Sequence, residues 1–444
     1  MSRERSSSLA PIAHTWRALR HRNFKLFFFG QSVSLIGTWM TRLATAWLVY
    51  QLTHSALLLG VVSFSGQIVS FLLGPFAAVW VERLERRRLL VVTQASAALQ
   101  SLSLAALTLA HVITLPEIIG LMMFQGLVNA FDMPGRQSFL VQMVDDRDDL
   151  ANAIALNSSM VNGARLIGPA IGGLIIAAFG EGYCFLLDGL SYFAVIASLL
   201  AMQLPALTGR GQSGGSLIEE LREGWNYVSG SRPIRTVLLI LALTCFMGWP
   251  YSVLLPVFAG SVLHGGAHTL GWLTAASGVG AFTSALALAM RKSIMGLTRT
   301  LLAAIAVLGV GLIFFGLSHV LWLSLALMVV VGFGLIQAAA VCNTIIQSLA
   351  PDDMRARVMG YYTMAFVGAA PFGSLAAGAL AQHIGAPHTV MLTGVCCIGG
   401  AAWFSLQLPK IRPAMRASYL EKELSAAAAR AAAAELRGAA ARAS

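Results

Sequence analysis

Long apolar stretches alternate with short polar turns along most of the chain. They lie near 24–50, 56–81, 89–110, 115–133, 153–179, 183–204, 234–259, 269–290, 300–317, 320–343, 358–382 and 388–408. Each approaches or exceeds the roughly 20 residues that a helix needs to cross a hydrocarbon core. No ten-residue alternation of the barrel kind recurs, and backbone groups in lipid must pair within their own segment. The pattern predicts an all-α membrane protein of twelve transmembrane helices. A longer polar stretch with glycine and mixed charge splits them six and six. The expected organisation is an N-terminal segment (1–23), a six-helix bundle (24–204), a linker (205–233), a second six-helix bundle (234–408) and an Ala/Arg-rich tail (409–444). Gly173 and Gly180 match Gly378 and Gly385 at one common offset, a weak sign of duplication. Two such halves suit a transporter that rocks about a site near the midplane.

Composition agrees with lipid as the solvent. The chain is 57% hydrophobic and 11% charged, whereas soluble domains carry about a quarter charged residues. The net charge of +11 changes meaning once it is mapped. Every Lys and Arg except Arg42 and Arg165 falls in a terminus, an even-numbered turn or the adjoining helix end. This positive-inside bias predicts cytoplasmic N- and C-termini. The basic clusters then face anionic lipid, so the bilayer is the expected partner and nucleic acid is not. His54, His111, His264, His268, His319, His383 and His388 fall at the opposite end, as neutral polar filler or as a pH sensor. The five cysteines lack metal spacing, and neither a metal site nor a disulfide framework is expected.

Two local motifs carry more chemistry. The turn after the second stretch reads Gly74-Pro75-Phe76-Ala77-Ala78-Val79-Trp80-Val81-Glu82-Arg83-Leu84-Glu85-Arg86-Arg87-Arg88. It resembles the signature loop of the major facilitator superfamily, with Glu82, Arg83, Arg86 and Arg87 at the matching positions. Ala78 and Glu85 depart from the glycines usual there. An acid in such a place can sit at the positive end of a helix in the other half and clasp the cytoplasmic side shut; plain positive-inside charge is the simpler reading. The fifth stretch holds Ala164, Gly168, Pro169, Gly172 and Gly173. This string is similar to the Gly-Pro-x-x-Gly-Gly motif of the exporter branches, with Ala164 replacing the leading Gly. Its proline bends the helix and its glycines admit a close neighbour. The segments Gly37–Arg42, Pro134–Ser138, Asn152–Asn157 and Pro351–Val358 resemble the enterobactin exporter-like, secretion-type branch. The resemblance implies the major facilitator fold in a bacterial inner or plasma membrane. It also implies export of a small organic molecule against an ion gradient, usually protons, with no cofactor.

Charged residues inside spans are costly and mark function. Arg42, Arg165 and Asp188 lie within spans, and Asp132 lies at the end of one near Arg136. Arg42 and Asp188 sit at similar depth, which favours an ion pair that locks the first bundle. Alternatively Asp188 exchanges a proton while an arginine tunes it or holds an anionic part of the substrate. Gln31, Asn129, Asn157, Asn162, Gln337, Asn343 and Gln347 are polar points that line a cavity or bridge helices. Trp249, Tyr251, Tyr361 and Tyr362 are candidate aromatic walls. No HExxH, Walker loop or GxSxG nucleophile elbow is found, since Gly211–Gly215 spells GxSxG only inside the polar linker, so neither an enzyme nor an ATP-driven pump is expected. The expectation is a monomeric exporter of a drug, siderophore-like compound or other metabolite by proton antiport. An importer on the same fold and a non-transport membrane sensor or enzyme are the alternatives.

Overall fold

The computed structural model describes residues 17–144, 147–203, 217–291, 296–351 and 353–413. Its helices are α1 (Arg22–Thr53), α2 (Ala56–Arg83), α3 (Arg86–Leu109), α4 (Leu115–Leu140), α5 (Arg147–Phe179), α6 (Glu181–Ala201) and α7 (Leu217–Gly230). They continue with α8 (Arg232–Gly248), α9 (Tyr251–Val257), α10 (Ala267–Ala289), α11 (Leu297–Leu317), α12 (Leu321–Leu349), α13 (Arg355–Ile384) and α14 (Ala386–Pro413). A π-helical turn, Phe258–Val262, prolongs α9. Among the described residues there is no strand.

Ten segments are long and apolar enough to cross a membrane, with α8, α9 and the π turn counting as one. The expected twelve is therefore met only in part. Helices α1 and α4 are long, yet they fall short of that apolarity. The reason is their polar content: α1 carries Gln31, Thr38, Thr41, Arg42 and Thr45, and α4 carries Glu117, Gln125, Asn129, Asp132 and Arg136. Several of these face an internal cavity rather than lipid. Outer surfaces are apolar, as lipid contact requires: Phe179, Leu406 and Trp322 are 68%, 71% and 76% exposed.

Two boundaries differ from expectation. Helix α4 runs through Pro134 to Leu140. Proline removes a single donor, and the helix continues when its neighbours support it. Within the connecting stretch, residues 217–230 form the short amphipathic helix α7, which docks on the start of α13. There Arg357 pairs with Glu223 at 3.0 Å, and Trp225 lies against Tyr361.

The helices before residue 203 pack among themselves: α1 on α5 and α6, α3 on α4 and α6, α2 on α4. Those after 232 do the same, α10 and α11 on α12 and α8 on α12 and α13. Two long contacts join these groups, α5 with α10 and α2 with α13. Both include glycine pairs. A Cβ on Gly173 would lie 3.0 Å from Gly271 Cα, and one on Gly378 would lie 3.1 Å from Gly60 Cα. Unusual backbone conformations recur at the matching ends. His54 and His264 are left-handed at φ 50° and 49°, and Gly180 and Gly385 have φ 94° and 83°. The common glycine offset in the sequence thus corresponds to the same turn geometry used twice.

Candidate functional site

The helices enclose a cavity of ≈ 370 Å³ lined from both groups. Of the residues that the sequence singled out, Arg42, Arg165, Asp188, Asn129, Pro169, Trp249 and Tyr251 line it. Gln31, Asp132, Asn157, Asn162, Gln337, Asn343, Gln347, Tyr361 and Tyr362 do not. Most of these have a structural partner instead. The Ser284 hydroxyl donates to Gln337 Oε1 at 2.8 Å. Gln347 bonds Asn343 within one helical turn, and Asn162 donates to the Ser158 carbonyl. The Tyr362 hydroxyl donates to the Ala339 carbonyl at 3.2 Å. Gln31 is buried and its Oε1 accepts nothing among the described residues, while Asn157 is half-buried.

Asp132 is a structural centre. Thr93 Oγ1 and Gln94 Nε2 donate to Oδ1 at 2.9 and 2.7 Å. Arg136, one turn along α4, pairs with Oδ2 at 2.6 Å. Asp188 is built differently. It is 1% exposed, Ser101 Oγ donates to its Oδ2 at 2.6 Å, and Oδ1 has no hydrogen-bond partner among the described residues. Gly37 lets the carboxylate press against α1, since a Cβ there would stand 2.7 Å from Oδ1. The depth match in the sequence favoured an Arg42–Asp188 ion pair. No such pair forms within 4.0 Å.

Arg42 instead lies over the Trp39 indole, with Cζ 4.8 Å from the ring centroid. Arg165 lies 5.1 Å from the same centroid and 5.4 Å from that of Trp249, which comes from the other helical group. The i, i+3 spacing of Trp39 and Arg42 on α1 was a readable signal for the first contact. The Arg165–Trp39 contact joins distant helices and had none. Ser101, Gln100, Tyr192 and Ser277 also went unnoticed in the sequence. Gln100 is 2% exposed and lines the cavity, and the Ser277 hydroxyl meets the Tyr251 hydroxyl at 2.5 Å.

The glycine-proline string is a double contact surface. A Cβ on Gly168 would come within 2.6 Å of Trp39 Cβ and 2.8 Å of the Ile36 carbonyl, and one on Gly172 within 3.2 Å of Met40 Cα. Those two residues therefore seat α5 on α1, a neighbour that the motif by itself does not name. Gly173 turns to α10 instead, and Ala164 is buried. In the signature loop, the Glu82 and Arg83 side chains lie outside the described residues. Arg86 opens α3, and Arg87 donates to the Leu200 carbonyl at 2.6 Å, within the first helical group. At the histidine end, hydrogen bonds tie the two groups together. Tyr50 meets Ser261 at 2.6 Å, and Ser55 donates to Gln382 at 3.0 Å.

Apolar outer walls around a largely apolar cavity that carries three charged side chains and is shared by two helical groups are the architecture of a membrane transporter. The chain matches the family model described as transmembrane secretion effector over residues 13–433, and it belongs to that family. It is 26% identical to the staphyloferrin A transporter of Staphylococcus aureus, over 84% of this chain and 93% of that protein. It is 28% identical to the multidrug efflux pump Tap of Mycolicibacterium fortuitum, over 87% and 96%. The fold matches the crystal structure of the nucleoside transporter NupG with a TM-score of 0.69 at 11% identity, covering 86% and 98%.

Proposed function

We propose that this protein exports a small organic molecule across a bacterial cell membrane by alternating access, in exchange for protons. Helices α1 and α4 complete a set of twelve spans, and the two helical groups are the bodies that rock. The basic turns face the cytoplasm with both termini, and the histidine turns face outward. The Tyr50–Ser261 and Ser55–Gln382 bonds form the outer seal, so the cavity of this state exchanges with the cytoplasm. No cofactor is needed, and one chain is the working unit. Family membership and the named efflux relatives support the direction.

The observation that carries the coupling is Asp188: a buried, half-satisfied carboxylate in the cavity wall, with no cation in ion-pair range among the described residues. Such a group is stable only by holding a proton or gaining a partner. The test uses inside-out vesicles with an acidic lumen and a panel of dyes, macrolides and siderophores. The expected result is uptake of at least one compound with proton release, and loss of that exchange in Asp188→Asn. Undiminished exchange in the variant would remove Asp188 as the carrier. Movement only in right-side-out vesicles would make the protein an importer.

A further inference from the structure

The arginine pair carries an inference about what is transported, and it rests on the transporter reading above. Both guanidinium groups lean on a single indole, that of Trp39, and Arg165 is also covered by Trp249. Aromatic faces stabilise a cation with its plane shielded and leave its N–H edge free to donate. No hydrogen bond or ion pair uses either edge among the described residues. Arg42 lies within the spanning length of α1 and is nevertheless exposed, because its head lines the cavity. Among the described residues the single carboxylate lining that cavity is Asp188, which already accepts from Ser101 and makes no ion pair with either arginine. Two fixed cations therefore face at most one anion, among the described residues, across the shared cavity. Charges held inside a membrane normally pair with one another or with backbone carbonyls. Here no neutralising partner is found among the described residues.

We infer that the Arg42–Arg165 pair, framed by Trp39 and Trp249, binds a carboxylate group on an aromatic or otherwise amphipathic substrate. The N–H forks match a planar carboxylate, and the indoles offer a flat apolar wall beside it. Trp39 belongs to the first helical group and Trp249 to the second. An anion bound between them touches both bodies, and its release frees them to part.

Purified full-length protein in detergent is the material for the test, with two xanthene dyes of similar size and opposite charge, carboxyfluorescein and rhodamine 6G. Binding is read by fluorescence anisotropy and needs neither a gradient nor a direction. A failure of proton coupling or of export therefore leaves this result untouched. The expected outcome is tighter binding of the anionic dye by at least about tenfold. Arg42→Gln and Arg165→Gln should each weaken it by about tenfold to a hundredfold, the range of one charge-assisted hydrogen bond. Arg165→Lys should restore part of that loss, because it returns the charge without the fork. Absence of an anion preference in the unaltered protein, through equal binding of the two dyes or through no binding, overturns the inference. Gln variants that keep the melting temperature and the preference overturn it as well.

Discussion

Asp132 and Asp188 are both buried aspartates of the first helical group, 3% and 1% exposed, and they are built in opposite ways. Asp132 uses both oxygens: two side chains of α3 donate to one, and an arginine of its own helix neutralises the other. Asp188 has one hydroxyl on one oxygen, nothing on the second and no paired cation among the described residues. A charge buried with all its partners holds helices together, whereas one left short of partners is a place where a proton can come and go. Sequence alone made both residues candidates for the ion path. Their number of partners, not their depth in the span, is what differs between the two.

The comparison breaks most visibly at Asp132. Asp132→Ala leaves the partly exposed Arg136 cation unpaired and the buried Gln94 amide without its acceptor, at a cost of about 2–4 kcal/mol. The expected result is a large fall in melting temperature in detergent and a low yield. A variant that melts like the unaltered protein would make Asp132 dispensable. A smaller effect is expected at Gly168. Gly168→Val forces a side chain into Trp39 and the Ile36 carbonyl, costing about 1–3 kcal/mol as overpacking. It displaces α1, which carries Arg42 and the Gly37 surface under Asp188, and leaves the Asp132 centre on α3 and α4 alone. Transport should fall more than stability. Equal losses would deny that the two sites are separate.

Asp188→Asn sharpens the contrast from the other side. The amide keeps the shape of the carboxylate and still accepts from Ser101. The change in stability should stay within about 1 kcal/mol while proton exchange is lost. A destabilisation as large as that of Asp132→Ala would give both residues the same structural role.

Much of the fold could be read from hydropathy, because each helix had to be apolar over a full membrane thickness. The apolar stretch ends near 133, just before Pro134, whereas α4 loses only one donor at that proline and continues to Leu140. Helix α7 was hidden in a polar, glycine-containing stretch whose short amphipathic pattern has no hydropathy signature. At the site, Arg42, Arg165 and Asp188 stood out because charges are expensive in apolar segments. Gln337 and Asn343 stood out as polar groups in apolar segments and bond Ser284 and Gln347. A polar side chain that bridges helices and one that lines a cavity look alike in sequence. Only distant contacts, such as Trp39 with Arg165 or Ser101 with Asp188, tell them apart.

The smallest test removes one hydroxyl from each aspartate. Thr93→Ala takes a single donor from Asp132, which keeps Gln94 and Arg136. Its cost should be about 1 kcal/mol or less, with the transport rate unchanged. Ser101→Ala takes the hydroxyl that donates to Asp188 Oδ2. The stability cost should be similar, but the carboxylate must now be solvated from the cavity, so the charged state in the exchange cycle becomes harder to reach. The expected result is a several-fold slower initial exchange rate in vesicles at matched protein levels. The two variants delete the same chemical group from the same kind of partner. If their exchange rates were equal, the count of remaining partners would not be what distinguishes a carrier from a brace.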